Sequence, residues 1–365
     1  MVSRERFNEI NAATVKRDDM FYWQVDRPIT NQEFVDIFMA RHDNANEQLI
    51  AREAERLLPS PTKVLSVAGD AGYRSGSVNV NRLLTLADGQ RLVARVHPAG
   101  LVNGYFDVEA CAMEAARAYV PTPQTVGVSH RATQGGLDML LMAEMPGRNM
   151  KQFLTAHPEK EADLVTDMGR TMARLHEVRV TGYGFFDNEH AQKTGELRGL
   201  HQDFESHIVA ALQSNLKVLI DAGYIDAAQA NKITAVLHGN PLTHCDDPRL
   251  LHNDFADWNV LTDGERIAAV LDWDECFAGD PVADIACWSL FFTPERLVHF
   301  MKGYTEVTPL PDDFEAKLHI YRLRYVVSKL SLRHRKLGLQ NDDIMKNLIK
   351  VGLEALDAEL AHFGL

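Results

Sequence analysis

No apolar run in the chain approaches the roughly 18 residues needed to cross a bilayer as a helix, so no transmembrane helix is expected. The N-terminus, MVSRERFNEINAATVKRDD, is polar and charged and lacks the apolar centre of a secretory signal; a cytoplasmic protein is the expectation. Cysteine is sparse. Cys111, Cys245, Cys276 and Cys287 are scattered without a CxxC pair, which offers no disulfide framework and points to reduced, partly buried thiols. His244, Cys245 and His252 lie close together but lack zinc-site spacing. Positive charge is in deficit: the formal net charge is -13, which argues against nucleic acid and acidic membrane surfaces as partners and is compatible with a cationic small molecule. Internal repeats and low-complexity segments are lacking, and no GKS or GKT of a Walker loop occurs.

What is present is a soluble, globular composition, 45% hydrophobic and 24% charged, over 365 residues. That is long for one core, so two packed lobes are expected, in a monomer or homodimer. Residues 1–61 read as a helical, mostly polar extension. Thr30 and Glu33 fit a capping box, Phe34, Ile37, Phe38 and Leu49 recur at helical spacing, and Pro59 and Pro61 close the segment. From residue 62 the period shortens. KVLSVAG, SVNVNRLLTLA and RLVARV read as strands, the last two joined at Asp88-Gly89; a helix follows from about Asp107 to Tyr119, then two more strands, TVGVSH and LDMLLMAEM, around Gly135-Gly136. Residues 62–145 therefore read as a small α+β lobe with five strands and one helix. Residues 146–365 read as mainly helical, FESHIVAALQSNLKVLIDAG as one helix among them. The exception is residues 250–272, where strand, loop, strand, turn and strand follow one another.

That exception carries the chemistry. In LLHNDFADWNVL an apolar stretch breaks for a run of polar groups and then resumes, and IAAVLDWDE follows. A hairpin with its tip at Thr262–Glu265 would return Asp272 to the side of Asn259, bringing three oxygen-bearing side chains, Asp254, Asn259 and Asp272, together. Magnesium prefers such hard oxygens and completes its shell with water and phosphate. Asn259 and Asp272 could hold the metal, leaving Asp254 free to accept a proton from a hydroxyl. A polar hairpin that merely caps backbone groups is the bland reading, and the joint spacing speaks against it. The division of labour is that of the protein-kinase catalytic loop.

HNDFADWN resembles the H-G-D-x-x-x-x-N loop of the aminoglycoside phosphotransferase family, relatives of choline kinases and distant relatives of protein kinases. AVLDWDECFAGDPVADIACW is similar to that family's IDW(E/D)…GDP…DLA segment, GRTMARLHEV to its leucine-histidine helix, and VPTPQTVGV to its VPVP segment. These matches span roughly residues 65 to 290. The resemblance implies a protein-kinase-like two-lobed α+β fold, with a small five-stranded antiparallel N-lobe, a mainly helical C-lobe, and a nucleotide between them. It implies ATP as phosphoryl donor, with GTP open, and Mg2+ as the metal.

Two departures stand out. Asn253 replaces the glycine of the triplet, where neither the family pattern nor turn geometry calls for a side chain. Arg95 stands where the family usually has a phosphate-holding lysine; it keeps the charge and adds a fork suited to phosphate oxygens. A buried cation needs an acidic partner, and the resemblance selects Glu109 for it, with Glu114 as competitor. The glycine-rich stretch Gly69–Ser77 permits close approach to phosphates, with Ser75, Gly76 and Ser77 as donors. LLMAEMPG resembles the hinge, placing Met142 near the base and offering main-chain groups of Ala143 and Met145. His252, Asp280 and Asp284 are expected to brace the loop structurally, the first aspartate directly, as in the family.

The acceptor is the least determined element. Candidate acids for an amine-bearing acceptor are Asp187, Glu189, Asp203, Glu205, Asp257, Asp274 and Glu275. A small-molecule hydroxyl of an aminoglycoside or aminocyclitol antibiotic is the first expectation; a metabolic alcohol such as choline, a sugar or homoserine is the alternative. A nucleotide-binding pseudokinase is a third class, against which the intact Asp254, Asn259 and Asp272 argue.

Overall fold

The computed structural model describes residues 46–69, 79–97, 106–130, 136–337 and 343–365. The capping box at Thr30–Glu33 and the phosphate-loop residues Ser75, Gly76 and Ser77 lie outside them. The chain begins with α1 (Glu47–Leu57), followed by β1 (Val64–Ala68), β2 (Val80–Leu86), β3 (Arg91–Val96), α2 (Phe106–Ala116), β4 (Thr125–Ser129) and β5 (Met139–Ala143). The strands form one antiparallel sheet in the order β1-β2-β3-β5-β4.

Alternation along these strands decides what each face does. Leu84 and Leu86 of β2, Leu92, Ala94 and Val96 of β3, and Met139 and Leu141 of β5 pack into one cluster with Ile50 and Ala54 of α1. The intervening residues face the other way. Leu140 joins Phe106, Ala112 and Met113 of α2 in the larger cluster, while Asn81, Val93, Arg95 and Met142 line a cleft. The period of two thus turns Arg95 away from the α1 core and toward α2.

After the sheet come β6 (Arg148–Asn149), α3 (Met150–Ala156), α4 (Glu161–Leu175), β7 (Tyr183–Phe186), α5 (Asn188–Thr194), β8 (Gly199–His201), α6 (Phe204–Ile208), α7 (Leu212–Asp221) and α8 (Ala227–Leu237). Then follow β9 (Arg249–Leu251), β10 (Val260–Thr262), β11 (Ile267–Val270), β12 (Phe277–Gly279), α9 (Pro281–Ser289), α10 (Pro294–Thr305), α11 (Phe314–Leu337) and α12 (Asp343–His362). Among the described residues no helix is long and apolar enough to cross a membrane.

This half contains more sheet than its sequence suggests. A four-stranded sheet runs β8-β7-β12-β9, and β6 adds to the β10–β11 hairpin. Strands of two to four residues are too short to show a period. The single helix expected over residues 204–223 is also broken. Ala211 adopts a left-handed φ of 56° and divides α6 from α7, with no glycine or proline in the sequence to announce it.

Candidate active site

The β10–β11 register assembles the site. Val260 pairs with Val270, and the Leu271 amide donates to the Asn259 carbonyl at 2.8 Å. The two strand ends therefore set Asn259 beside Asp272. Asn259 Nδ2 donates to Asp254 Oδ2 at 2.7 Å and to the Asp254 carbonyl at 2.9 Å. With its nitrogen spent on Asp254, the amide oxygen of Asn259 is its remaining polar atom. Asp254, Asn259 and Asp272 all line the same cleft, of about 970 Å³.

The loop before Asp254 is pinned by buried groups. The amides of His252 and Asn253 donate to the two carboxylate oxygens of Asp284 at 2.8 and 2.9 Å. His176, capping α4, adds a contact at 3.2 Å. Burial alone would raise Asp284; its hydrogen bond and charge interaction with His176, aided by His252, outweigh that and hold it below the ordinary carboxylate range. His252 lies 3.0 Å by Nε2 from the Leu271 carbonyl and accepts the Asp254 amide on Nδ1 at 3.3 Å. A carbonyl can only accept, so Nε2 carries the hydrogen and the ring is neutral. Burial lowers its pKa in agreement. The brace expected of Asp280 falls instead to Asp284. Asp280 caps α9 through the Val282 amide at 3.0 Å and binds Lys317 and Tyr321 of α11 at 2.8 and 3.1 Å. The two acids are four positions apart, and only the second, one turn into α9, reaches the loop amides.

Arg95 is the electrostatic hub. It is 6% exposed. Its Nε lies 3.3 Å from Glu109 of α2, and its Nη2 contacts Asp272 and lies 3.4 Å from Asp274. The Asn79 amide, with its oxygen toward the guanidinium, accepts from Nη2 and Nε at 3.1 and 3.2 Å. Glu114 instead pairs on the surface with Arg117 at 2.7 Å. Burial, foremost, and Glu275 raise Asp254 well above the usual carboxylate value, with Lys329 opposing; burial and Asp272 do the same to Asp274, with Arg95 opposing.

Val93, Met142, Ala143, Met145 and Leu261 line the cleft between the sheet and the β10–β11 hairpin, an apolar slot suited to a flat ring. The Ala143 amide already donates to the Gln124 carbonyl at 2.8 Å, which removes that donor from any contact with a base.

The acids expected around the acceptor all have protein partners. Asp257 faces Arg296 at 3.2 Å and is buried. Asp203 caps α6, Glu205 accepts the Gly239 amide at 2.7 Å, and Asp187 caps α5 while pairing with Arg198. Glu189 pairs with Lys193, Asp274 faces Arg95, and Glu275 binds Lys329 at 3.1 Å. None of these seven lines the cleft. Sequence reasoning missed Lys329 and Tyr325 of α11, which reach Glu275 and Asn253; nothing in α11 marks them. It also missed Trp258, 38% exposed on the cleft wall with Lys151 over its ring at 5.2 Å. A lone Trp inside a polar loop was the available signal.

Residues 71–316 match the family model described as the phosphotransferase enzyme family. The chain belongs to this family. A phosphotransferase of similar sequence is the hygromycin-B 4-O-kinase of Escherichia coli, 36% identical over 86 residues; the match covers 22% of this chain and 24% of that enzyme. Among solved structures, a thermostable mutant of aminoglycoside phosphotransferase APH(4)-Ia superposes with a TM-score of 0.58 at 17% identity, over 87% of this chain and 99% of that one. A choline/ethanolamine kinase family protein from Mesorhizobium loti gives a TM-score of 0.54 at 19% identity, over 85% and 95%. At such identities the likeness establishes the kinase-like two-lobed fold of this phosphotransferase.

Proposed function

We propose that the protein transfers the γ-phosphoryl group of ATP to a hydroxyl of a small molecule, with an aminoglycoside or aminocyclitol as the first acceptor class. One observation carries the phosphotransfer reading: Asp254, Asn259, Asp272 and Arg95 converge on one cleft that has an apolar slot at its other end. APH(4)-Ia crystallised as a ternary complex with AMP-PNP and hygromycin B supports both the nucleotide and the acceptor class, as does the match to the hygromycin kinase.

The donor set fits magnesium. Asp272 offers a carboxylate and Asn259 an amide oxygen, both hard, and among the described residues no three-membered His, Cys, Asp or Glu cluster competes. Bound there, the ion would neutralise phosphate charge. Asp272 is shared with Arg95, so the guanidinium sits where it can move from this carboxylate to nucleotide phosphates. Asp254, oriented by Asn259 and raised by burial, accepts the hydroxyl proton as the oxygen attacks phosphorus. Most of the acceleration would come from positioning and charge neutralisation, since a loose transition state needs little covalent help.

A second acceptor reading, a neutral sugar or small amino alcohol, is favoured by a specific observation: the seven acids expected to meet a polyamine are engaged within the protein. The test is MgATP turnover against hygromycin B, a panel of other aminoglycosides, choline and a hexose. Turnover with an aminoglycoside supports the first reading, and turnover with choline or the hexose alone the second. The absence of acceptor-dependent ADP release from the whole panel would count against phosphotransfer.

A further inference from the structure

Asn253 sits in the middle of the His-x-Asp triplet at φ 64°. This is the left-handed region, where glycine is cheapest and asparagine is among the few other residues tolerated. Turn geometry alone therefore asks for no side chain. Yet the side chain is only 4% exposed and is engaged at both ends. The Tyr325 hydroxyl donates to Oδ1. Nδ2 donates to Glu275 Oε2 at 3.4 Å, and that same oxygen accepts from Lys329 Nζ at 3.1 Å. Tyr325 and Lys329 are one turn apart on α11, so a single helix face presents both. The backbone of Asn253 is fixed independently: its amide is held by Asp284 and its carbonyl accepts from Cys287 Sγ at 3.2 Å.

We infer that Asn253 is a positioning residue: its side chain clamps the catalytic loop to α11 through Tyr325, Glu275 and Lys329, and so sets the direction of the adjacent Asp254. Three features carry this. A buried amide with both ends bonded has one orientation available. The residue it belongs to is covalently joined to Asp254, so a shift of the clamp moves the carboxylate directly. And Tyr325 lies 72 residues downstream of Asn253, so the clamp links the loop to the helical end of the molecule. Its kinetic consequence rests on the phosphotransfer reading above; the clamp itself does not.

The test uses Asn253→Gly, which accepts the left-handed backbone and deletes both side-chain bonds, and Tyr325→Phe, which deletes one hydroxyl and keeps the ring. With hygromycin B as acceptor, and with water alone as acceptor, each variant should lower kcat by about 10- to 100-fold, the scale expected for sub-ångström misplacement of a reacting group. The KM for MgATP should stay within about twofold, because the clamp lies away from the nucleotide slot. The double variant should be no worse than the poorer single one, since both remove the same device. A readout independent of turnover is amide hydrogen exchange with MgADP present. Residues 251–259 should exchange faster in both variants, while residues 260–270 keep the wild-type rate. A glycine variant with wild-type kcat, or with wild-type exchange over 251–259, overturns the clamp, and so do losses that multiply in the double variant. Should Asp254→Asn retain full turnover while the exchange results hold, the role of Asp254 as proton acceptor fails and the clamp stands. Should the wild type turn over no acceptor, the exchange rates alone decide.

Discussion

Arg95 is one side chain facing three carboxylates, Glu109, Asp272 and Asp274, from inside the protein. A cation so placed is fixed by what its removal would leave behind. Arg95→Met should lower stability by about 3–5 kcal/mol, the usual penalty for leaving buried charges without a partner, seen as a fall in Tm. Arg95→Lys keeps the charge but loses the planar fork; it should be closer to wild type in Tm while raising the KM for nucleotide. Equal Tm for all three proteins would remove Arg95 from its structural role. Asp254 makes the complementary case. Asp254→Asn removes the proton acceptor and should lower kcat by about 10²- to 10⁴-fold with nucleotide affinity nearly intact. Near-normal turnover would show that another group takes the proton. His201 supplies a prediction in pH. It is buried with Nε2 unbonded, and burial lowers its pKa from 6.5. Below that value the unfolded chain takes up a proton that the folded chain refuses, so stability falls as pH drops from 6.5 toward the folded value. His201→Asn lacks this loss. Its Tm relative to wild type should therefore rise between about pH 7.5 and pH 5.5, and a pH-independent difference would remove His201 from the acid response.

At the scale of elements, α4 and α10 approach each other closely through two glycines. Gly169 of α4 would place a Cβ 2.0 Å from the Phe300 carbonyl oxygen, and Gly303 of α10 would place one 1.8 Å from the Thr166 carbonyl oxygen. Both obstacles are backbone, so neither can rotate aside. Gly303→Ala should cost about 1–3 kcal/mol or more through forced separation of the helices, measured by denaturant unfolding; a neutral variant would mean that the pair has slack. Neither glycine announces this contact in the sequence, where each sits inside a run that reads as ordinary helix. The same contrast governs what else was legible. The sheet strands β1 to β5 run five to seven residues and are bounded by Asp88-Gly89 and the prolines at 121 and 123, so length and punctuation agree. The candidate site was legible for a related reason. Asp254, Asn259 and Asp272 lie on one local hairpin, whose register follows from the short turn between its strands. Tyr325 and Lys329 reach the same loop from α11, and no local pattern encodes a contact between segments that far apart. The surroundings of the acceptor acids were not legible for the opposite reason: exposed-looking carboxylates in a sequence give no sign of the arginine, lysine or helix amide that partners them.

At the scale of the whole molecule, charge is unevenly used. The chain carries a formal -13, yet Arg95, Arg148 and Lys151 line the cleft beside Asp254 and Asp272. Positive groups thus sit where phosphates would lie, against a surrounding field of opposite sign. The two reaction partners should respond differently to salt. An aminoglycoside is a polycation drawn in by the net field, and screening weakens that pull because the Debye length shortens to about 8 Å at physiological ionic strength. Its kcat/KM should fall by about 3- to 10-fold between low and moderately high salt, the range expected when steering is lost. MgATP remains anionic and is repelled by the same field at long range. Screening removes that repulsion while also weakening its attraction to the three cleft cations, and these opposing effects should leave its kcat/KM nearly flat. The measurement is steady-state kinetics with each substrate varied in turn at several potassium chloride concentrations, at constant free magnesium. A neutral hexose as acceptor should show no dependence. If hygromycin B behaves like the hexose, the net charge plays no part in acceptor capture, and recognition must come from uncharged groups such as the exposed face of Trp258.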